Sequence, residues 1–180
     1  MGLDTGADVL QQHMSQNEPA KQAKQEDIVY NQWATFKVNN ELYGIDVIKV
    51  KEVLRYSEMT PVPGSESYIQ GIINLRGNVV TVIDTRELFA LDARAADDDT
   101  RIIVVEYNEQ EVVGLVVDSV DEVINLPTGE LERAPSVSSD ESTRRFVQGV
   151  CYYNGLLVIM LDLGKIMVTI TPEHAEDLNS

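Results

Sequence analysis

QGIINLRGNVVTVIDTRELF, residues 70–89, is written a second time at residues 148–167 as QGVCYYNGLLVIMLDLGKIM. The two align without a gap at an offset of 78 (148 minus 70), and Gln70, Gly71, Gly77, Val80 and Asp84 meet Gln148, Gly149, Gly155, Val158 and Asp162. Nearly every apolar position between them stays apolar. Upstream, ELYGIDVIKVKEVL (residues 41–54) meets EVVGLVVDSVDEVI (residues 111–124). The chain thus reads as two copies of one small unit in the same internal order, and such a repeat governs every later step of fold reading. Residues on which the copies agree serve the fold. Residues on which they disagree sharply are candidates for function. The sharpest disagreement is Asn74-Leu75-Arg76 against Tyr152-Tyr153-Asn154.

Local patterns give each copy its elements. Ala34, Phe36 and Val38 alternate with Thr35 and Lys37, the period of a half-buried strand. Asn39-Asn40 marks a tight turn because Asn tolerates left-handed backbone. Residues 46–50 predict one helical turn, with Val47 and Val50 on one side. The Thr60-Pro61-Val62-Pro63-Gly64 run excludes a sheet interior. Arg76-Gly77 and Asn154-Gly155 close matching hairpins. Asp84-Thr85-Arg86-Glu87 predicts a capped short helix, with Glu87 reaching back to the Asp84 backbone; Asp162 takes the same place in the second copy. About five short strands per copy favour small barrels, since closure removes unpaired edges. The expected fold is all-β: two SH3-like five-stranded barrels with short helices, packed side by side. The expected division is a disordered tail at 1–27, a globular part at 28–169 (first barrel about 30–90, second about 100–167), and a tail at 170–180. Two units of this size bury too little surface to stand alone, so they should share an apolar seam with a groove between them.

Composition excludes several functions. A net charge of -16 argues against nucleic acid and against anionic membrane surfaces, both of which need clustered Lys and Arg. No apolar run reaches the roughly 18 residues of a membrane span, and no secretory leader is read at the N-terminus. The single cysteine, Cys151, aligns with Ile73 and reads as a buried structural thiol in a reducing, cytoplasmic setting. His13 and His174 have no neighbours at metal-ligand spacing, and Asp97-Asp98-Asp99 lacks the spaced ligands of a calcium loop. No phosphate loop and no activated serine is present. Asp84 and Asp162 are carboxylates in matching places, which makes them caps rather than catalysts. No catalytic residue, cofactor or metal is expected.

A binding module remains. Arg76 sits at a hairpin tip where the other copy has Asn154, so the fold does not require it. Leu75 beside it is apolar, and Glu52 on a preceding strand is its expected partner. Val47 and Val50 are candidates for core or for a groove wall.

At these residues the chain resembles the CheW family of chemotaxis coupling proteins. The similarity is carried by YGIDVIKVKEV (43–53), PVPGSESYIQGIINLRG (61–77), VVTVIDTR (79–86), VVGLVVDSVDEVI (112–124) and FVQGV (146–150). The resemblance implies a double barrel without enzymatic activity. It implies an adaptor that joins the cytoplasmic tips of methyl-accepting chemoreceptors to the regulatory domain of the histidine kinase CheA, located in the cytoplasm at receptor arrays. It places the receptor's helix hairpin in the groove between barrels, with Val47, Val50, Glu52, Asn74, Leu75, Arg76 and Gly77 as contacts. It assigns no kinase-contact residues. The alternative is an array-structural or competing relative serving another chemosensory system, such as surface motility. The chain is too short for the kinase domain or receiver domain that accompany this fold in CheA and CheV.

Overall fold

A computed structural model describes residues 28–132 and 141–170. The tail expected at 1–27, nearly all of that at 170–180, and the centre of the acidic loop after Pro127 lie outside them. The strands are β1 (Tyr30–Val38), β2 (Glu41–Asp46), β3 (Val50–Arg55), β4 (Ile69–Leu75), β5 (Asn78–Asp84), β6 (Arg101–Tyr107), β7 (Glu111–Val117), β8 (Ser119–Pro127), β9 (Val147–Tyr153) and β10 (Leu156–Leu161). The helices are α1 (Thr85–Leu88), α2 (Glu141–Arg144) and α3 (Leu163–Ile170), and 3₁₀ turns occupy Val47–Lys49 and Thr128–Glu130.

The strands form two five-stranded sheets, ordered β8-β1-β2-β10-β9 and β3-β6-β7-β5-β4. Exchanging each strand for its repeat counterpart turns one order into the other. The registers also match: β5 runs parallel to β7 with Thr81 opposite Val113, and β10 runs parallel to β2 with Ile159 opposite Tyr43. Each sheet therefore draws on both copies. This corrects the contiguous division at about 30–90 and 100–167. The chain leaves the first barrel at the Val47–Lys49 turn, and β6 and β7 complete the second. The physical gain is a chain that cannot separate into halves without losing both sheets.

Matching bridges close the barrels. Thr60 exchanges two backbone hydrogen bonds with Ile72 (3.1 and 2.8 Å), and Glu132 does the same with Val150 (2.9 and 2.8 Å). Trp33, Ile124, Cys151, Val158 and Met160 fill the first barrel, and Val82, Ile102 and Val104 the second. The largest cluster lies between them and takes residues from both sheets. Its spine is an aromatic run, Phe36–Tyr43–Phe89–Phe146, with ring centroids 5.9, 5.3 and 5.9 Å apart.

Asp84 and Asp162 both cap. The Asp84 Oδ1 accepts from the Arg86 N–H at 3.0 Å, and the Asp162 Oδ1 from the Lys165 N–H at 3.3 Å. The Glu87 return bond is not made, because the Asp84 N–H already donates to the Tyr68 carbonyl at 2.8 Å, as the Asp162 N–H does to that of Phe146.

Candidate functional site

The β4–β5 hairpin turns through Arg76 (φ 52°) and Gly77 (φ 86°), both in the left-handed region, and Asn154 (φ 51°) and Gly155 (φ 78°) repeat the turn. Asn is the residue that accepts this conformation readily; an Arg held there costs about 1–2 kcal/mol of backbone strain. The Asn74 Oδ1 accepts from the Gly77 N–H at 3.0 Å and pins the tip. The Arg76 guanidinium reaches the Glu52 Oε2 at 2.8 Å. The Arg76 side chain is 76% exposed and that of Glu52 only 20%, so the pair stands at a lip with its acid end inside. The exposed position limits its worth to about 0–1 kcal/mol. Arg76→Asn should therefore leave the unfolding free energy within about 1 kcal/mol of wild type, relief of backbone strain offsetting the lost pair; urea denaturation checks this.

Behind the lip is a pocket of about 340 Å³ in the mouth of the second barrel, lined among others by Glu52, Leu75, Arg76, Asn78, Val104 and Val112. All its lining residues come from β3–β7 and their turns. Glu52, Leu75 and Arg76 converge here, with Asn74 and Gly77 shaping the turn. Val47 and Val50 do not line it. They flank the crossing between barrels, where Val50 packs against the central cluster. Close by lies a smaller concavity of about 150 Å³ formed by both barrels, with Asp46, Lys49, Tyr107 and Asp162 in its wall. The seven candidate residues thus divide between a barrel mouth and the inter-barrel crossing. Sequence reading did not find Val112 and Gln110, which reach the pocket only because β7 lies beside β5.

On the opposite flank Arg86 is nearly buried, 8% exposed, and grips Asp118 with two bonds, Nε to Oδ1 at 2.9 Å and Nη2 to Oδ2 at 2.6 Å. Burial would raise the Asp118 carboxyl. The hydrogen bonds from Arg86 and the Asn39 N–H, with the charges of Arg86 and Arg94, outweigh it and hold the group below its ordinary value. Asp84 is shifted the other way, raised chiefly by burial.

Among the described residues no helix is long and apolar enough to cross a membrane, and no group of three potential ligands could hold a metal. The family model for the CheW-like domain matches residues 32–170. "Chemotaxis protein CheW" of Klebsiella aerogenes is 33% identical over 141 residues, 78% of this chain and 84% of that protein. The Bacillus subtilis protein of the same name is 40% identical over 125 residues, 69% of this chain and 80% of that one. The solved "scaffolding protein TtCheW" of Thermoanaerobacter tengcongensis superposes with a TM-score of 0.68 at 34% identity, covering 74% of this chain and 90% of its own. Interleaved twin barrels, the NLRG turn and a match spanning nearly every described residue lead to one assignment: the chain belongs to the CheW-like domain family.

Proposed function

We propose that this chain is a non-catalytic adaptor of chemotaxis, coupling the cytoplasmic tips of methyl-accepting receptors to the regulatory domain of the histidine kinase CheA at receptor arrays in the cytoplasm. The observation that carries the reading is the Glu52–Arg76 pair, set by a strained turn at the lip of a partly apolar pocket. The relatives' names, chemotaxis protein and scaffolding protein, support it. A receptor helix needs apolar anchors and a polar rim to dock. Val50 and Leu75 are the apolar elements and Glu52 and Arg76 the rim, while Val47 and the Asn74–Gly77 turn set their spacing. Coupling requires no bond chemistry, only two contacts held at once and strengthened by multivalency in an array.

The test is titration of the full chain with a receptor hairpin fragment and, separately, with the kinase regulatory domain. Arg76→Ala should weaken receptor binding by about tenfold or more and leave kinase-domain binding unchanged. Receptor binding unaffected by Arg76→Ala would remove the lip from the interface. Receptor binding without kinase stimulation in a reconstituted array would indicate a competing array component instead.

A further inference from the structure

The mouth of the second barrel holds a polar atom that the fold leaves unanswered. The Glu52 Oε2 pairs with Arg76 at 2.8 Å, while its Oε1 is buried and has no hydrogen-bond partner among the described residues. Neither the Gln110 nor the Asn78 amide, both in the same pocket wall, donates to it. The repeat shows that this burial is no requirement of the fold. Glu122 takes the equivalent place on β8 and is exposed, and Asn154 replaces the arginine of the turn. A buried acceptor without a donor is a standing cost, which an occupant that brings a donor removes.

The pocket of about 340 Å³ lies in the size range of small-ligand sites, and barrel mouths are among the places where such sites occur. Its wall includes Val80 and Val104, which are buried, and Leu75 and Val112, which pack against the barrel interior. The charged side chains in the wall are already paired, Arg76 with Glu52 and Lys51 with Glu106 at 3.6 Å. An anionic occupant would meet the Glu52 carboxylate on a chain of net charge -16, and a cationic one would meet Arg76 and Lys51. A neutral, largely apolar molecule with one N–H or O–H meets neither penalty.

We infer that the mouth of the second barrel is a small-molecule site. Its ligand is a neutral aromatic or heteroaromatic compound of one or two rings. An N–H or O–H of that compound donates to the Glu52 Oε1, and its apolar body lies against Leu75, Val104 and Val112. The occupant holds Glu52 from within, as Arg76 holds it from outside. Binding needs no partner protein, so this site stands or falls apart from receptor docking.

Two probes of nearly the same shape test it, indole and 1-methylindole, of which only the first carries an N–H. Methyl NMR of the full chain titrated with indole should give saturable shifts, largest at the Leu75 and Val112 methyls, with a dissociation constant of about 1 mM. 1-Methylindole should bind about fivefold more weakly or worse, because it leaves the Glu52 Oε1 without a donor. Glu52→Leu should bind the two probes alike. If that variant does not fold, the comparison of probes on the wild-type chain decides alone. Equal affinity of the two probes for wild type, shifts centred away from Leu75 and Val112, or no saturable shift up to about 10 mM probe overturns the site. None of these outcomes bears on whether the chain binds a receptor fragment.

Discussion

Arg86→Ala should lower the unfolding free energy by about 3 kcal/mol, the range expected when a buried ion pair loses one partner. The loss is large because the pair is nearly buried and holds Asp118, the residue that bonds across to the first barrel. Arg86 follows β5 of the second barrel, and its Nη1 also donates to the Asp92 carbonyl at 2.9 Å, tying down the acidic connector. Asp118 follows β7, yet its Oδ2 accepts from the Asn39 N–H of the β1–β2 turn at 2.8 Å, and its own N–H donates to the Lys37 carbonyl at 3.0 Å. Without the guanidinium, the carboxylate keeps only Asn39 and the more distant Arg94 at 3.5 Å. Arg86→Lys should recover less than half of the loss, since an ammonium cannot make the two-pronged contact. The pH dependence has a definite sign. Asp118 is held below its ordinary carboxylate value in the folded chain. Its contribution is therefore fully present above the unfolded value of about 4 and is lost as pH falls through the folded value. Urea melts of wild type and Arg86→Ala should differ most near neutrality and converge in acid. Asp84, raised by burial, runs oppositely: its stabilising share is present in acid and lost as pH rises through its folded value. A constant difference between wild type and variant down to about pH 3 would show that Asp118 is not the group the arginine serves.

What could be read from residue order follows the range of the forces involved. Hairpins, the Val47–Lys49 turn and the caps at Asp84 and Asp162 depend on neighbours a few residues away, and the repeat exposed them twice over. Barrel membership depends on which distant strand completes a sheet. The alternation of β2 looks the same whether its parallel neighbour is β10 or β5, so the chain's crossing at Val47 left no local mark. The same holds for Arg86. Within VIDTREL it resembles any polar residue in a short helix, and its burial follows from Asp118, which lies beyond the acidic connector and β6–β7. At the pocket, the mismatch of Leu75 and Arg76 with Tyr153 and Asn154 was legible because one copy reports what the fold alone requires. The contribution of Val112 was not, because its contrast with Leu42 acquires meaning only once β7 is known to lie beside β5.

Gly71→Ala and Gly149→Ala should each cost about 3 kcal/mol, combining overpacking against backbone with two weakened ladder bonds of about 1 kcal/mol apiece. A Cβ on Gly71 would stand 2.6 Å from the Thr60 carbonyl oxygen, and one on Gly149 2.8 Å from that of Glu132. Those carbonyls belong to the segments that close the two barrels, through paired bonds to Ile72 and Val150. A flexible side chain could move aside, but the backbone of a closing strand can yield only by opening the barrel. The near-identical geometry at both sites explains why both copies keep glycine at this place. Gly77 provides the control. A Cβ there meets nothing within 4 Å, and its requirement is the positive φ of the turn, so Gly77→Ala should cost only about 1 kcal/mol. Hydrogen exchange separates the two mechanisms. Gly71→Ala should release protection at Ile72 and Thr60 well before global unfolding, whereas Gly77→Ala should leave those amides protected. Equal costs for the two substitutions, or unchanged exchange at Ile72, would mean that close approach of the closing strand is not what holds glycine at position 71.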